Sequence, residues 1–278
     1  IRMSNKLENK VALVTGAGRG IGQAIATKLA SESANLVIND LTEEPALETK
    51  KIVEDMGREC EIVVGDVTAE DFGDRFSKAA VDRFNAIDII VNNAGYPWDG
   101  VIQKYTDEQF QAMMEVHVTA PFRILRSASE FMRQAAKDEK AAGEVVHRKV
   151  VNISSFAGLY GNAGQIGYAS AKSALVGMTR TLAKEWGRYN INVNCVAFGY
   201  IQTRMTKDLG DAEAVAQVGD RKITMGVHPD MTKALVQMIP LGRGGTPQEA
   251  ADAVYLMCAP ESNYISGQIV LAAGGLII

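Results

Sequence analysis

Short apolar runs alternate with amphipathic stretches along most of the chain. Seven of these runs are rich in Val and Ile and are mostly bounded by Gly, Asn or Asp: Val11–Val14, Leu36–Ile38, Ile62–Val64, Ile87–Val91, Val150–Ile153, Ile191–Val196 and Ile269–Leu271. Fully apolar strands separated by helices are typical of a parallel sheet that is covered on both faces. The pattern therefore predicts one α/β domain over residues 1–278, with a doubly wound parallel sheet of about seven strands and helices on both faces.

Residues that start and stop helices support this interpretation. Gly57 is predicted to close one helix, and Thr246 and Pro247 are predicted to cap and open another.

Two stretches break the alternation of apolar runs and amphipathic segments. Gln134–Lys149 is charged and alanine-rich, and we interpret it as an extension between a helix and the fifth strand. Residues 203–241 leave the carboxyl edge of the sheet, where ligands of open parallel sheets bind, so we expect them to cover a substrate; the alternative is an inert surface excursion.

Composition and charge narrow the function classes. Among 278 residues, 47% are apolar and 22% are charged, which excludes disorder. The net charge of −4 and the scattered lysines predict no nucleic-acid partner. Three cysteines, far apart and without CxxC spacing, indicate a reducing compartment and no metal site. No apolar run approaches ~18 residues, so we expect a cytoplasmic protein without a membrane partner.

A glycine-rich turn follows the first predicted strand. The segment Thr15-Gly16-Ala17-Gly18-Arg19-Gly20-Ile21-Gly22 precedes a helix predicted from about Gln23 to Ser31. Such glycines allow a sharp turn and a close approach to a pyrophosphate, and the helix N-terminus supplies N–H groups to the phosphates. Ile21 stands where the usual third glycine falls, and no Lys-Ser/Thr pair follows as in a P-loop. The turn predicts dinucleotide binding.

An acidic residue at the end of the second strand bears on the choice of dinucleotide. Asp40 lies about 18 residues beyond the glycine turn, where a carboxylate accepts both ribose hydroxyls and repels a 2′-phosphate. Leu41 follows, so no adjacent cation neutralises that phosphate, although Arg19 could reach it from the turn. We therefore favour NAD over NADP. In the alternative interpretation Asp40 only starts a turn before a helix.

A serine, a tyrosine and a lysine form the strongest chemical signal. Ser155 ends the fifth predicted strand, and Tyr168 and Lys172 follow at i and i+4, on one helix face. An ammonium beside a phenol favours the phenolate, so we expect the pKa of Tyr168 to lie below ~10. Such a phenol can exchange a proton with an alcohol oxygen while a hydride moves, and Ser155 can hydrogen-bond the same oxygen.

These motifs together resemble the classical short-chain dehydrogenases/reductases over nearly the whole chain. The resemblance rests on the glycine turn, Gly65-Asp66-Val67, Asn92-Asn93-Ala94-Gly95, Ser155, Tyr168, Lys172 and the segment from Asn194 to Thr203. It is greatest for the β-ketoacyl-acyl-carrier-protein reductase group, through Gly161–Gln165 and Ile239–Arg243. The resemblance implies a Rossmann-type fold, NAD or NADP as cofactor and a homotetramer.

The resemblance also implies roles for individual residues. Ser155 would position the substrate oxygen, Tyr168 would be the acid/base, and Lys172 would bind the nicotinamide ribose. Substrate contacts are expected from Ser155, Gln165, Tyr168, Phe198 and Met205. Cofactor contacts are expected from Gly16, Gly18, Arg19, Gly20, Ile21, Gly22, Asp40, Leu41, Asp66, Val67, Asn93, Ala94, Gly95, Tyr168, Lys172, Gly199, Ile201 and Thr203.

The chain departs from the family pattern at three places. His117 stands where the family has an asparagine whose main-chain carbonyl extends the proton path from the lysine; that main-chain role survives the change, so we keep His117 as a catalytic candidate beside its alternative as a neutral core histidine. Phe198 replaces a proline before Gly199, in the expected wall over the nicotinamide. Ala272-Ala273 replaces an acidic residue before the final glycine pair.

Three functions remain open from the sequence. The first is an NAD(P)-dependent oxidoreductase that reduces 3-oxoacyl thioesters to 3-hydroxyacyl thioesters. The second keeps the chemistry but acts on a steroid, a sugar or another cyclic secondary alcohol. The third is a dinucleotide-binding protein without catalysis, an idea supported only by His117 and Phe198 and opposed by Ser155, Tyr168 and Lys172.

Overall fold

Seven parallel strands form the central sheet. The structure, a computed structural model, describes residues 5–203, 214–218, 221–225 and 229–276. The strands lie in the order β3-β2-β1-β4-β5-β6-β9. Their bounds are β1 Val11–Val14, β2 Asn35–Asp40, β3 Cys60–Val64, β4 Ile89–Asn92, β5 Arg148–Ser155, β6 Ile191–Phe198 and β9 Ile269–Ala272. The predicted doubly wound sheet and its seven strands are confirmed, and β5 and β6 are longer than predicted.

Helices cover both faces of this sheet. Their bounds are α1 Gly20–Ser31, α2 Glu43–Asp55, α3 Phe72–Phe84, α4 Asp107–Met114, α5 Ala120–Ala141, α6 Phe156–Tyr160, α7 Ile166–Trp186, α8 Pro229–Met238 and α9 Pro247–Cys258. One apolar cluster packs Leu29 of α1 and Val254 of α9 against the sheet, and another packs Phe76 of α3 and Ile124 of α5 against the opposite face. The two clusters explain why the strands are apolar on both sides.

The predicted helix ends are present. Gly57 follows the last turn of α2 with φ +76°, a conformation that glycine adopts without steric cost. Thr246 caps α9: its hydroxyl accepts a hydrogen bond from Glu249 N, and the Glu249 side chain accepts one from Thr246 N. Helix α1 begins at Gly20, three residues earlier than predicted.

The interpretation of Gln134–Lys149 as an extension between helix and strand is wrong for most of its length. Helix α5 continues to Ala141 and β5 already begins at Arg148, so only residues 142–147 connect them. The side chains of Arg148 and Glu139 form a two-pronged ion pair with distances of 2.6 and 2.7 Å. The charged residues Glu139 and Arg148 therefore hold the helix against the strand and do not belong to a loop.

Residues 203–241 contain secondary structure of their own. Strands β7 Ala214–Val218 and β8 Arg221–Met225 pair antiparallel, and α8 follows. Met205 and its neighbours in 204–213 lie outside the described residues. Within the part of the chain that the structure describes, no helix has the length and apolar character needed to cross a membrane.

Candidate active site

The glycine turn folds tightly against the first turn of α1. Gly16 has φ +62°, and a Cβ at Gly22 would lie 2.0 Å from the carbonyl oxygen of Gly16. Gly22 therefore provides the close packing expected of a third glycine. The side chain of Ile21, one residue earlier, packs against the core cluster on that face.

The N-terminus of α1 suits an anionic group. Arg19 is the N-cap residue, its side chain makes no capping hydrogen bond, and the first turn carries no acidic residue. A Cβ at Gly20 would meet no atom within 4 Å, so the backbone beside the helix end is open. Free N–H groups and the helix dipole at such an end favour a phosphate. The residues here fit the pyrophosphate of a dinucleotide.

Asp40 orders the loops beside this turn. Its Oδ2 accepts a hydrogen bond from Gly18 N at 3.0 Å, and its Oδ1 accepts one from Thr42 N at 3.3 Å. The second contact belongs to the turn that starts α2, as the alternative interpretation expected, while the first brings the carboxylate to the glycine turn. The one carboxylate of Asp40 therefore both starts the turn before α2 and lies against the glycine turn. Leu41 and Arg19 are both exposed nearby.

Hydrogen bonds join the loop after β4 to the glycine turn. Thr15 Oγ1 accepts from the backbone N–H groups of Asn93 and Ala94, each at 3.0 Å, and Asn93 Nδ2 donates to the carbonyls of Thr15 at 2.9 Å and Gly16 at 3.2 Å. Asn39 was not predicted as a site residue, although its Oδ1 accepts from Gly16 N at 3.3 Å. Its amide also donates to Val63 O and Gly65 O, both at 2.9 Å. Its position beside Asp40 was the only sequence signal.

Two of the expected cofactor contacts lie where the third strand ends. Asp66 and Val67 follow β3, and Asp66 Oδ1 accepts hydrogen bonds from Thr68 N and Thr68 Oγ1, both at 2.8 Å. Val67 is buried. Their contacts with the cofactor stay predictions.

Ser155, Tyr168 and Lys172 come together at the carboxyl edge of the sheet. Ser155 ends β5, its Oγ accepts a hydrogen bond from Ala157 N at 3.2 Å, and its side chain lies close enough to Tyr168 to affect the pKa of that phenol. Lys172 is buried, its Nζ donates to the carbonyl of Ile153 at 2.7 Å, and it lies 5.7 Å from the centre of the Tyr168 ring. The spacing along α7 thus places both side chains beside the end of one strand.

The expected fall in the pKa of Tyr168 is wrong for this structure. Burial raises the pKa of Tyr168 from 10.0 to about 12, and the hydrogen bond with Ser155 opposes this shift only in part. Lys172 does not offset the burial, because its ammonium is directed to the Ile153 carbonyl, and burial lowers the pKa of Lys172 to about 8. The phenol is therefore protonated at neutral pH.

His117 packs directly against Tyr168. It lies in a π-helical turn, Glu115–Thr119, and its ring meets that of Tyr168 edge to face, with 5.1 Å between centroids. Its Nε2 lies 2.9 Å from the Tyr96 carbonyl and therefore carries the proton. Burial, and then the charge of Lys172, hold the pKa of His117 well below 6.5, so the ring is neutral. The core-histidine interpretation describes its protonation state, and its contact with Tyr168 places it in the site.

Gln165 joins the site to an acidic residue that was not predicted. Its Nε2 donates to both carboxylate oxygens of Asp99, at 3.0 and 3.1 Å, and its Oε1 accepts from Asn162 Nδ2 at 3.0 Å. Burial raises the pKa of Asp99, and its negative charge contributes to the high pKa of Tyr168. Asp99 had no sequence signal because the chain brings it to the start of α7 only by folding.

The residues at and after the end of β6, several of which are expected to contact the cofactor or the substrate, differ in how deeply they are buried. Phe198 is 6% exposed, packs in the core cluster with Ile201 and pairs in register with Ser155. Gly199 lies so close to β9 that a Cβ there would be 2.6 Å from Ala273 Cβ. Thr203 is half-buried at the end of the described stretch. Nicotinamide and substrate contacts of these residues stay predictions.

Comparisons with known proteins agree with this geometry. The family model described as short chain dehydrogenase matches residues 10–214. The chain is 32% identical over 273 residues to 3-oxoacyl-[acyl-carrier-protein] reductase FabG of Thermotoga maritima, covering 98% of this chain and 100% of that protein. It is 34% identical over 270 residues to the Vibrio cholerae protein of the same name, covering 97% and 98%.

A solved structure extends the likeness to the fold. A crystal structure described as that of a short-chain alcohol dehydrogenase from Sinorhizobium meliloti 1021 superimposes with a TM-score of 0.84 at 28% identity, covering 98% of each chain. The chain therefore belongs to the short-chain dehydrogenase family, whose members are oxidoreductases that use NAD or NADP.

Proposed function

We propose that the protein reduces 3-oxoacyl thioesters to 3-hydroxyacyl thioesters, with NADH as the favoured reductant and NADPH as the alternative. The observation that carries the proposal is the grouping of Ser155, at the end of β5, with Tyr168 and the buried Lys172, whose Nζ lies 5.7 Å from the centre of the Tyr168 ring. Two relatives that match nearly the whole chain are 3-oxoacyl-[acyl-carrier-protein] reductases, which favours a thioester over other carbonyl compounds.

The glycine turn and the loop after β4 would hold the cofactor. The open N-terminus of α1 would take the pyrophosphate, and the Asp40 carboxylate beside Gly18 would accept hydrogen bonds from the ribose hydroxyls. The bound dinucleotide supplies the hydride. Because a 2′-phosphate would meet the negative charge of Asp40, NADH is favoured.

Tyr168 would deliver the proton in the direction of reduction. Its raised pKa keeps the phenol protonated at neutral pH, which is the state a general acid needs. The O–H bond of Tyr168 breaks as the substrate oxygen takes the proton, and Ser155 Oγ donates a second hydrogen bond to that oxygen. The neutral ring of His117 packs against the edge of Tyr168 and fixes its orientation.

Lys172 would bind the nicotinamide ribose beside Tyr168. Its Nζ is fixed by the Ile153 carbonyl, which leaves two further N–H groups for the nicotinamide ribose and for a water. Its charge also favours an anionic tyrosine once the proton has left. A substitution that removes Lys172 is expected to weaken both binding and turnover.

The segment 203–241 would cover the reacting carbon. It leaves the sheet directly after Ile201 and returns before α9. Apolar residues recur in it, among them Met205, Met225, Met231 and Met238, and methionine side chains adapt to irregular apolar ligands.

The test is turnover of acetoacetyl thioesters with each dinucleotide, followed by the absorbance of the reduced nicotinamide. The proposal predicts a higher kcat/KM for thioesters than for steroids, sugars or simple alcohols, and a higher value with NADH than with NADPH. Efficient turnover of a cyclic alcohol together with no thioester reduction would favour the alternative, to which the likeness to the Sinorhizobium alcohol dehydrogenase gives some support. Absence of all turnover would support a non-catalytic protein.

We also propose a homotetramer. Strand β9 lies at an edge of the sheet, its residues are only half-buried, and Leu256 on the neighbouring helix α9 is exposed. An unpaired strand edge beside apolar surface favours association. Sedimentation equilibrium at micromolar concentration distinguishes a tetramer from a dimer or a monomer.

A further inference from the structure

A cavity lies at the amino edge of the sheet, where β1, β4 and β5 begin. This is the edge opposite the strand ends that carry Ser155. The cavity has a volume of about 190 Å³. It is lined by Lys6, Leu7, Lys10, Asp88, Ile89, Val145, Val146, His147, Lys149, Cys258, Pro260 and Asn263. No residue assigned to the proposed reaction lies in it.

Lys149 supplies a buried cation to this cavity. Its side chain is 3% exposed, and its Nζ donates one hydrogen bond, to Ser262 Oγ at 3.1 Å. In the described part of the chain, no carboxylate lies within 4 Å of this ammonium. Burial lowers the pKa of Lys149 to about 8, so the amine is still mostly protonated at pH 7. A buried charge without a counter-ion is costly, and a bound anion would remove that cost.

Most other polar groups of the lining already have partners, but the buried Oδ1 of Asn263 has none among the described residues. Lys10 Nζ lies 3.1 Å from Asp88 Oδ1, whose other oxygen accepts from Val11 N at 3.0 Å. Lys6 forms an ion pair with Glu261. His147 Nδ1 lies 3.2 Å from Asn192 Oδ1. The lining thus holds three lysines against one aspartate, and Lys149 is the lysine that has no acidic partner among the described residues.

The remaining wall is apolar. The connection 142–147, which the family resemblance did not explain, contributes Val145 and Val146, and Val145 is 76% exposed. Leu7, Ile89 and Pro260 complete this wall. An apolar cavity of about 150 Å³ can hold benzene, so about 190 Å³ has room for a small ring or a short alkyl chain that carries one charged group.

We propose that this cavity binds a small organic monocarboxylate, with its carboxylate on Lys149 Nζ and its apolar body against Val145, Val146 and Pro260. One carboxylate matches the single cation that has no acidic partner. A phosphate is the weaker fit, because its second charge would face Asp88 and it offers nothing to the apolar wall. This proposal is independent of the proposed reaction.

The test is isothermal titration calorimetry with benzoate, hexanoate and inorganic phosphate, in the presence of saturating NADH. NADH is proposed to bind at the opposite edge of the sheet and therefore leaves this cavity free. A carboxylate that binds in the active site instead is recognised because it inhibits substrate turnover competitively. We expect saturable binding of benzoate and hexanoate with Kd on the order of 1 mM, and binding of phosphate at least about tenfold weaker, a difference of ~1.4 kcal/mol.

Lys149→Met removes the charge and keeps the length of the side chain. Because it removes a cation without an acidic partner, the variant should fold, which turnover and circular dichroism verify. It should weaken carboxylate binding by about tenfold or more, whereas the exposed control Lys78→Met should bind as the wild type does. Backbone amide shifts on titration should concentrate at Val145, Val146 and His147. Unchanged affinity in Lys149→Met, no saturable binding by the wild type, or tighter binding of phosphate than of benzoate would overturn the proposal.

Discussion

Gly95 and His117 approach each other so closely that no side chain fits between them. A Cβ placed on Gly95 would lie 2.1 Å from Cε1 and 2.5 Å from Nδ1 of the imidazole. The same imidazole is fixed by the Tyr96 carbonyl and packs on Tyr168. The loop after β4 and the side chain of Tyr168 are therefore positioned through one buried ring.

Gly95→Ala should accordingly lower both stability and turnover. The added methyl group forces the ring or the loop to move, and overpacking of this kind typically costs about 1–3 kcal/mol. Urea denaturation of Gly95→Ala, His117→Ala and the double variant measures the coupling between the two sites. We expect the double variant to be less destabilised than the sum of the single variants, and strict additivity would show that the contact does not govern the packing.

Tyr168→Phe should remove most turnover and leave dinucleotide affinity nearly unchanged. Phenylalanine keeps the edge-to-face contact with His117 and loses only the hydroxyl to which we assign delivery of the proton. A positioned acid or base contributes ~10²–10⁴-fold. Stopped-flow turnover and fluorescence titration with NADH check the two halves of this prediction.

Lys172→Ala provides the contrast, because it should lower both turnover and affinity. If Tyr168→Phe retains near-normal kcat while the chemical step limits the rate, another group carries the proton.

Asp40→Asn should reduce the preference for NADH while preserving the glycine turn. The single amide oxygen can still accept the hydrogen bond from Gly18 N, whereas the NH2 group at the other position cannot accept one from Thr42 N, and the negative charge is gone. The ratio of kcat/KM for NADH to that for NADPH should therefore fall. Asp40→Ala loses charge and hydrogen bonds together, so it should also weaken binding of both dinucleotides. A wild-type preference for NADPH would contradict the assignment and direct attention to Arg19.

Lys149→Met should stabilise the protein at neutral pH. The pKa of Lys149 falls from 10.5 in the unfolded chain to about 8 in the folded one. Between these values the unfolded state binds more protons, so the contribution of Lys149 to the free energy of unfolding rises with pH. The variant should exceed the wild type by on the order of 1–3 kcal/mol at pH 7, and the difference should shrink as the pH rises from 8 to 10.5. Lys78→Met, at a 72% exposed side chain, should change stability by less than ~0.5 kcal/mol.

Hydrogen exchange tests the segment 203–241 as a cover. If it closes over the substrate, amides from Met205 to Met238 should gain protection when NADH and a substrate analogue are both bound. Amides of the last turns of α5, which end beside Arg148 at the start of β5, serve as the internal control. Equal protection with and without both ligands would identify the segment as scaffold.

Local pattern was sufficient for the sheet but not for the electrostatics of the site. Val11–Val14 is buried along its whole length because helices cover both faces of the sheet. Gly57 follows the end of one helix and Thr246 caps the start of another, through contacts within a few residues. The extent of α5 was misjudged because the ion pair between Glu139 and Arg148 is not visible as periodicity.

In the site, too, local spacing predicted some residues, whereas properties that depend on contacts distant in sequence were not predicted. Tyr168 and Lys172 were found from their spacing, since a helix places i and i+4 on one face. The pKa of Tyr168 was misjudged because it depends on burial and on where Lys172 directs its N–H groups, and the Ile153 carbonyl takes one of them. Asp99 and Asn39 were missed because their partners lie far away in the sequence.

The hydroxyl of Thr15 and the amide of Asn93 make two separate loops behave as one body. With two backbone N–H groups on Thr15 Oγ1 and two carbonyls on Asn93 Nδ2, neither loop can shift without breaking bonds to the other. The cradle is thus assembled before any dinucleotide arrives, and little of the binding free energy is lost in ordering it. Evolutionary changes in cofactor affinity would consequently arise at other residues that contact the ligand, while the hydrogen bonds of Thr15 and Asn93 keep the two loops in one fixed arrangement.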